Sequence, residues 1–97
     1  MVELKPWDSA DYLKTPTQVA AYLEAVFEDG DPELINIALG NVARSEGMTK
    51  IAGATGLTRA SLYKSLSAEG NPEFATVLKV IQALGLKLTV ADPKAAA

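Results

Sequence analysis

Residues 48–67, MTKIAGATGLTRASLYKSLS, decide the fold of this chain. The string predicts one helix from about residue 48 to 55 and a second helix from about residue 59 to 66. Between them, Gly56 suits a left-handed turn conformation, which a residue with a Cβ resists. Thr58 is a good N-cap for the second helix, because its hydroxyl can accept a hydrogen bond from a backbone N–H of the following turn. Two short helices joined by a tight glycine turn are typical of a helix-turn-helix.

The second helix of this segment has a polar face. One side carries two cations and two hydroxyl groups that can reach phosphate or guanine, and it has no large apolar group. In DNA-binding helix-turn-helix proteins the second helix lies in the major groove, and its N-terminal residues meet base edges. The predicted DNA-binding residues are Thr49, Lys50, Thr58, Arg59, Ala60, Ser61, Tyr63, Lys64 and Asn71. An ordinary helical hairpin with a solvated face is the alternative.

The expected contacts differ from residue to residue. Thr49 and Lys50 begin the first helix of the pair and are expected to contact phosphate. Arg59 is the best candidate for reading a base, since a guanidinium can donate to guanine O6 and N7 together. Ser61 can contact either base type, whereas Ala60 offers only a methyl group.

Three residues are expected at the edge of this surface. Tyr63 and Lys64 lie further along the second helix and are expected to meet phosphate, and Asn71 follows in the next loop, where it can add a contact to the DNA backbone. For Tyr63 an equal alternative is that its ring is partly buried and holds the helix in place.

Composition excludes several classes of function. The 97 residues are 48% hydrophobic, which suits one small domain with one core. Cysteine and histidine are absent, so thiolate metal sites, disulfides and the commonest general base are excluded. No phosphate-binding glycine motif and no membrane-length apolar run occurs. We therefore expect a cytoplasmic protein that is not an enzyme, with no catalytic or metal site, no cofactor, no small-molecule ligand and no membrane partner.

Charge is distributed unevenly along the chain, whose net charge is −3. Residues 1–40 have two lysines and eight carboxylates, a net charge of −6, whereas residues 41–97 have seven cations and four carboxylates, a net charge of +3. Such asymmetry suggests different partners for the two ends. The basic part suits a polyanion and the acidic part suits a basic protein, although solvation of helix faces explains the acidic part equally well.

The remaining pattern predicts an all-α, five-helix domain over residues 1–97. Thr15-Pro16 and Asp31-Pro32 each open a helix as N-cap and N1 residues, and glycines end both helices. The apolar stripe that runs from Phe74 to Leu84 predicts the last helix, which Gly85 ends. The predicted divisions are an acidic extension and helix (1–31), a helix-turn-helix core (32–85), a strand (86–90) and a tail (91–97).

The strand prediction rests on the alternation of apolar and polar residues in Leu86-Lys87-Leu88-Thr89-Val90. A lone strand has unpaired backbone groups on both edges, and pairing with the same strand of a second copy would satisfy one of them. We therefore predict a homodimer formed through Leu86, Leu88 and Val90. The alternative is an extended tail whose leucines cap the core.

Four strings carry a resemblance to a known family. GDPELINIALGNVARSEGMTKIA, TGLTRASLYKSL and EGNPEFATVLKVIQALGLKL make residues 30–88 similar to lambda-repressor-like (XRE-type) helix-turn-helix proteins, and more closely to HigA-type addiction-module antitoxins. With SADYLKTPTQVAAYLEAV the resemblance extends over about nine tenths of the chain. It implies the lambda-repressor-like fold, direct binding of a RelE/ParE-like toxin, and repression of a shared operon through operator DNA.

The implied toxin acts on ribosomes, so a basic toxin surface is expected. Because exposed charge pairs contribute little, apolar anchors are also needed, and aromatic residues are enriched among binding hot spots. Trp7 and Tyr22 are the predicted toxin-binding anchors. Two alternatives stay open: a stand-alone XRE-type repressor without a toxin, and a protein-interaction module that does not bind DNA.

Overall fold

A computed structural model describes residues 15–94 of the chain. Within that range the chain forms five helices and no β-strand. In chain order the helices are α1 (Pro16–Asp29), α2 (Pro32–Glu46), α3 (Met48–Thr55), α4 (Arg59–Ser65) and α5 (Phe74–Ala83). The predictions of an all-α fold and of these five helices are confirmed for the described residues.

Local capping explains where the first two helices begin. Thr15 and Gln18 form a capping box before α1, in which the Thr15 hydroxyl accepts from the Gln18 N–H at 3.1 Å and the Gln18 side-chain oxygen accepts from the Thr15 N–H at 3.1 Å. The Asp31 carboxylate accepts from the Glu33 N–H at 3.0 Å before α2. Each helix then starts with a proline, whose missing N–H would have had no partner there.

The turn between α3 and α4 is set by one glycine. Gly56 has φ +78°, a left-handed conformation, and its N–H donates to the Ala52 carbonyl at 2.9 Å. Thr58 caps α4 by accepting from the Ser61 N–H at 3.0 Å. The predicted roles of Gly56 and Thr58 are confirmed, and together they fix the direction in which α4 leaves the turn.

The core lies where α3 packs against α2, α4 and α5, and α1 packs against α2. Three residues of α1, Val19, Leu23 and Val26, are buried. The largest fully buried side chains come from α1 to α5 and are Leu39, Ile51, Leu62, Val26, Val42 and Val80. Burial of Leu62 on α4 turns the opposite side of that helix toward solvent.

Two predictions about the C-terminal part are wrong. Residues 86–90 do not form a strand, because a single chain supplies no second strand to pair with. Leu86 packs against the core and its N–H donates to the Ile81 carbonyl at 3.1 Å, whereas Val90 is 99% exposed. Phe74, predicted on the apolar stripe of the last helix, is 67% exposed, and the buried residues of that helix are Val80 and Ile81. Among the described residues, no helix is long and apolar enough to cross a membrane.

Candidate functional site

The α3–turn–α4 segment exposes the residues that the sequence singled out for DNA. Leu62 and Leu66 are buried and attach α4 to the core. All nine predicted DNA-binding residues are solvent-exposed: Thr49, Lys50, Thr58, Arg59, Ala60, Ser61, Tyr63, Lys64 and Asn71. Eight of them lie on α3, on α4 or at the N-cap of α4. These eight are therefore all exposed along one segment of the chain, from α3 through the turn to α4.

Hydrogen bonds fix the beginning of α4. The Thr58 hydroxyl accepts from the Ser61 N–H at 3.0 Å and also bonds the Ser61 hydroxyl, with 2.9 Å between the two oxygens. Arg59 lies between these two residues, and its side chain is exposed. The position of the Arg59 Cα is thus set by a capped helix, while its long side chain can extend into solvent.

Lys50 is the cation of α3, and it has an acidic neighbour. Its Nζ lies 3.3 Å from a carboxylate oxygen of Glu46, four residues earlier, and both side chains are well exposed. An exposed pair of this kind contributes about 0–1 kcal/mol. Lys50 can therefore exchange Glu46 for a phosphate at small cost.

Asn71 lies apart from the other eight residues, in the loop between α4 and α5. It lines a groove with residues from the beginnings of α2 and α5, and its chain neighbours include Glu69 and Glu73. Tyr63 is 40% exposed, so part of its ring is covered and part is accessible. This exposure is compatible with both alternatives for Tyr63, a ring that supports the helix and a side chain that contacts DNA.

The acidic part of the chain forms a second exposed surface. From Thr15 to Ala43 the sequence has five carboxylates and no lysine or arginine. The five are exposed on α1, on the turn after it and at the start of α2: Glu24, Glu28, Asp29, Asp31 and Glu33. This region is suited to a positively charged partner.

The structure describes one of the two predicted toxin anchors, Tyr22. Trp7 lies outside the described residues. Tyr22 is half-buried on α1 and packs against the core, and its hydroxyl accepts from the Asn41 side-chain amide at 3.1 Å. Tyr22 therefore helps to hold α1 on α2, and its role as a toxin anchor stays a prediction.

Asn41 was not predicted from the sequence to have a structural role, yet it is only 2% exposed. Its amide donates to Tyr22 of α1, and its oxygen accepts from the Arg44 guanidinium. The sequence could have indicated this position, because Asn41 follows the apolar Ala38 by three residues and so lies on the same face of α2, one turn further on. A polar residue at a core position needs a partner, and here the partners are on α1 and α2.

The described part of the chain contains no cluster of three or more acidic, histidine or cysteine side chains arranged to hold a metal ion.

A groove of about 240 Å³ lies between α1 and the segment that follows α5, and its lining includes Leu23, Phe27, Leu86 and Leu88. Two of the three predicted dimer residues therefore lie beside α1, and the third, Val90, projects into solvent.

Comparison with known proteins places the chain in a family. A family described as "Probable addiction module antidote protein" matches residues 3–92. A protein of Haemophilus influenzae described only as "Uncharacterized protein" is 43% identical over 88 residues, which cover 91% of each chain. No solved structure matches the chain. The match over almost the whole sequence shows that this protein belongs to the family of probable addiction module antidote proteins.

Proposed function

We propose that this protein is the antitoxin of a type II toxin–antitoxin module, acting in the cytoplasm. It binds a RelE/ParE-like toxin directly and represses its own operon by binding operator DNA. Family membership supports a toxin as partner in general, because an antidote acts on a toxin. The resemblance of residues 30–88 to HigA-type antitoxins supports the finer assignment.

The observation that carries the DNA-binding part is the exposed polar face of α4. Arg59 at the start of this helix and Lys64 in its last turn are exposed, while Leu62 is fully buried and attaches the helix to the core. In the proposed helix-turn-helix, α4 is the recognition helix, Arg59 donates to a base, and Thr49 and Lys50 of α3 hold phosphate. Ser61, Tyr63 and Lys64 complete the surface. Asn71 has Glu69 and Glu73 two residues to either side, so it is the least suited of the nine residues to contact phosphate.

One helix-turn-helix offers few base contacts, so a homodimer that presents two copies of α4 is part of the proposal. Such a dimer matches a palindromic operator. The segment 86–90 is the proposed contact, because four of its five residues are exposed in the single chain. The toxin is proposed to approach the acidic surface of α1 and the start of α2, with Trp7 as an apolar anchor.

Binding of the chain to a fragment of its own promoter tests the DNA-binding part. Arg59→Ala is expected to cost about 1–3 kcal/mol on the promoter and to relax specificity at one base position. Lys50→Ala is expected to weaken promoter and random DNA alike, since a phosphate contact carries no sequence information. Lys79→Ala, which removes an exposed cation of α5, is the matched control.

Two results would contradict the DNA-binding assignment. The first is an Arg59→Ala variant that binds the promoter as tightly as the wild-type chain. The second is wild-type binding whose affinity does not fall with salt, because phosphate contacts release counterions and must produce such a slope. The second result would favour a protein-interaction module.

A further inference from the structure

A second groove, of about 470 Å³, lies between the beginning of α2, the α4–α5 loop and the beginning of α5. Its walls are held together by the Asn36 side-chain amide, which donates to the Gly70 carbonyl at 2.9 Å. Because that bond joins residues 34 positions apart, the groove is part of the folded chain before any partner arrives. Much of the lining is apolar, including Pro32, Pro72 and Val77.

Phe74 lies at this groove and is 67% exposed. A single exposed apolar residue is ordinary in a soluble protein. Here, however, the exposed ring lies beside an apolar concavity, and aromatic residues are enriched in protein–protein interfaces. The combination gives a partner an aromatic ring to contact and a cleft to fill.

Charge decides which partner fits. Glu33 lines the groove, and Glu69 and Glu73 are chain neighbours of the lining residues Ala68, Pro72 and Phe74. These three carboxylates are exposed, and no lysine or arginine is among the lining residues. DNA would be repelled from this place, and a second copy docked groove to groove would bring carboxylates against carboxylates. A cationic protein segment is the complementary occupant.

We propose that the groove between α2 and α5, with Phe74 at its edge, receives a lysine- or arginine-bearing segment of the toxin that also carries an apolar side chain. This inference rests on the proposed antitoxin function and adds a toxin contact beyond the surface of α1. The apolar side chain of the partner packs between Phe74 and Val77, and its cations face Glu33, Glu69 and Glu73. Asn71 then belongs to this toxin contact and not to the DNA surface.

The test uses the full chain and, as probe, the protein encoded by the reading frame adjacent to its gene. Phe74→Ala is expected to weaken binding of that protein about 30-fold or more, the loss that defines an interface hot spot. Ala68→Lys places a cation in the groove and is expected to have a comparable effect. Ala91→Lys makes the same substitution at an exposed position outside both proposed contacts and is expected to bind like the wild type.

The outcomes separate the two proposals. If the wild-type chain binds the probe and both Phe74→Ala and Ala68→Lys bind equally well, the groove assignment is overturned and the antitoxin function stands. If the wild-type chain does not bind the probe, both are overturned. Circular dichroism checks that each variant is folded, and should Phe74→Ala fail that check, Ala68→Lys decides alone. A loss confined to the two groove variants supports the proposal.

Discussion

At Gly40, α2 passes close to the residue that ends α4. A Cβ at this position would lie 2.4 Å from the Leu66 carbonyl oxygen, a backbone atom that cannot rotate away. Helix propensity alone would favour alanine here by about 1 kcal/mol. The close approach is therefore the physical reason for glycine in the middle of a fifteen-residue helix.

We predict that Gly40→Ala lowers the free energy of unfolding by about 1–3 kcal/mol, the usual cost of overpacking. Gly53→Ala is the matched control, because Gly53 is also helical and its added Cβ would meet nothing within 4 Å. The control is expected to gain about 0.5–1 kcal/mol from helix propensity. Urea unfolding of the two variants measures both changes. Equal effects of the same sign would show that the contact with Leu66 does not decide stability.

At the scale of elements, helix boundaries could be predicted because their causes are local. Thr15-Pro16 and Asp31-Pro32 carry the cap and the first helical residue within two positions, and both helices begin there. The exposure of the polar residues of α4 could be predicted for the same reason, since the pattern that indicates it lies within seven residues. Local signals of this kind need no knowledge of the rest of the fold.

Predictions that depended on distant parts of the chain were less successful. The apolar stripe of α5 does not indicate that its first residue, Phe74, extends past the core. The alternation of apolar and polar residues in 86–90 is a strand pattern, but the described part of the chain has no other strand with which it could pair. The groove beside Phe74 was missed for the same reason, because the Asn36–Gly70 bond that holds its walls joins elements far apart in sequence.

The proposed dimer buries the segment 86–90, of which residues 87–90 are exposed in the single chain. Its exposed apolar side chains are Leu88 and Val90, and a carboxylate at either position would be buried in the interface without a partner. We predict that Leu88→Asp and Val90→Asp are monomers at tens of micromolar, where the wild-type chain is a dimer. Ala91→Asp, just beyond the segment, is expected to stay dimeric. Sedimentation analysis that finds a wild-type monomer, or finds dimers of both aspartate variants at positions 88 and 90, would exclude this interface.

At the scale of the whole molecule, the acidic helix is also part of the core. α1 packs on α2 through Val19, Leu23 and Val26, and Tyr22 bonds the buried Asn41. The surface proposed for the toxin and the scaffold that holds the DNA surface are therefore not separable by cutting the chain after α1. Charge divides the molecule into two regions, but packing joins them.

We predict that a fragment comprising residues 31–97 does not unfold cooperatively. Loss of the three buried α1 side chains removes about 5–9 kcal/mol of apolar burial at roughly 1.5–3 kcal/mol each, which is comparable with the whole stability of a small domain. A fragment comprising residues 15–97 retains the Thr15 cap and every described core residue, so it is expected to show a sharp thermal transition by circular dichroism. A sharp transition in the shorter fragment would mean that α2–α5 form an independent core. If the 31–97 fragment shows no sharp transition, it cannot be used to locate the toxin contacts. Point substitutions and the 15–97 fragment must then be used, because that fragment lacks Trp7 and keeps α1.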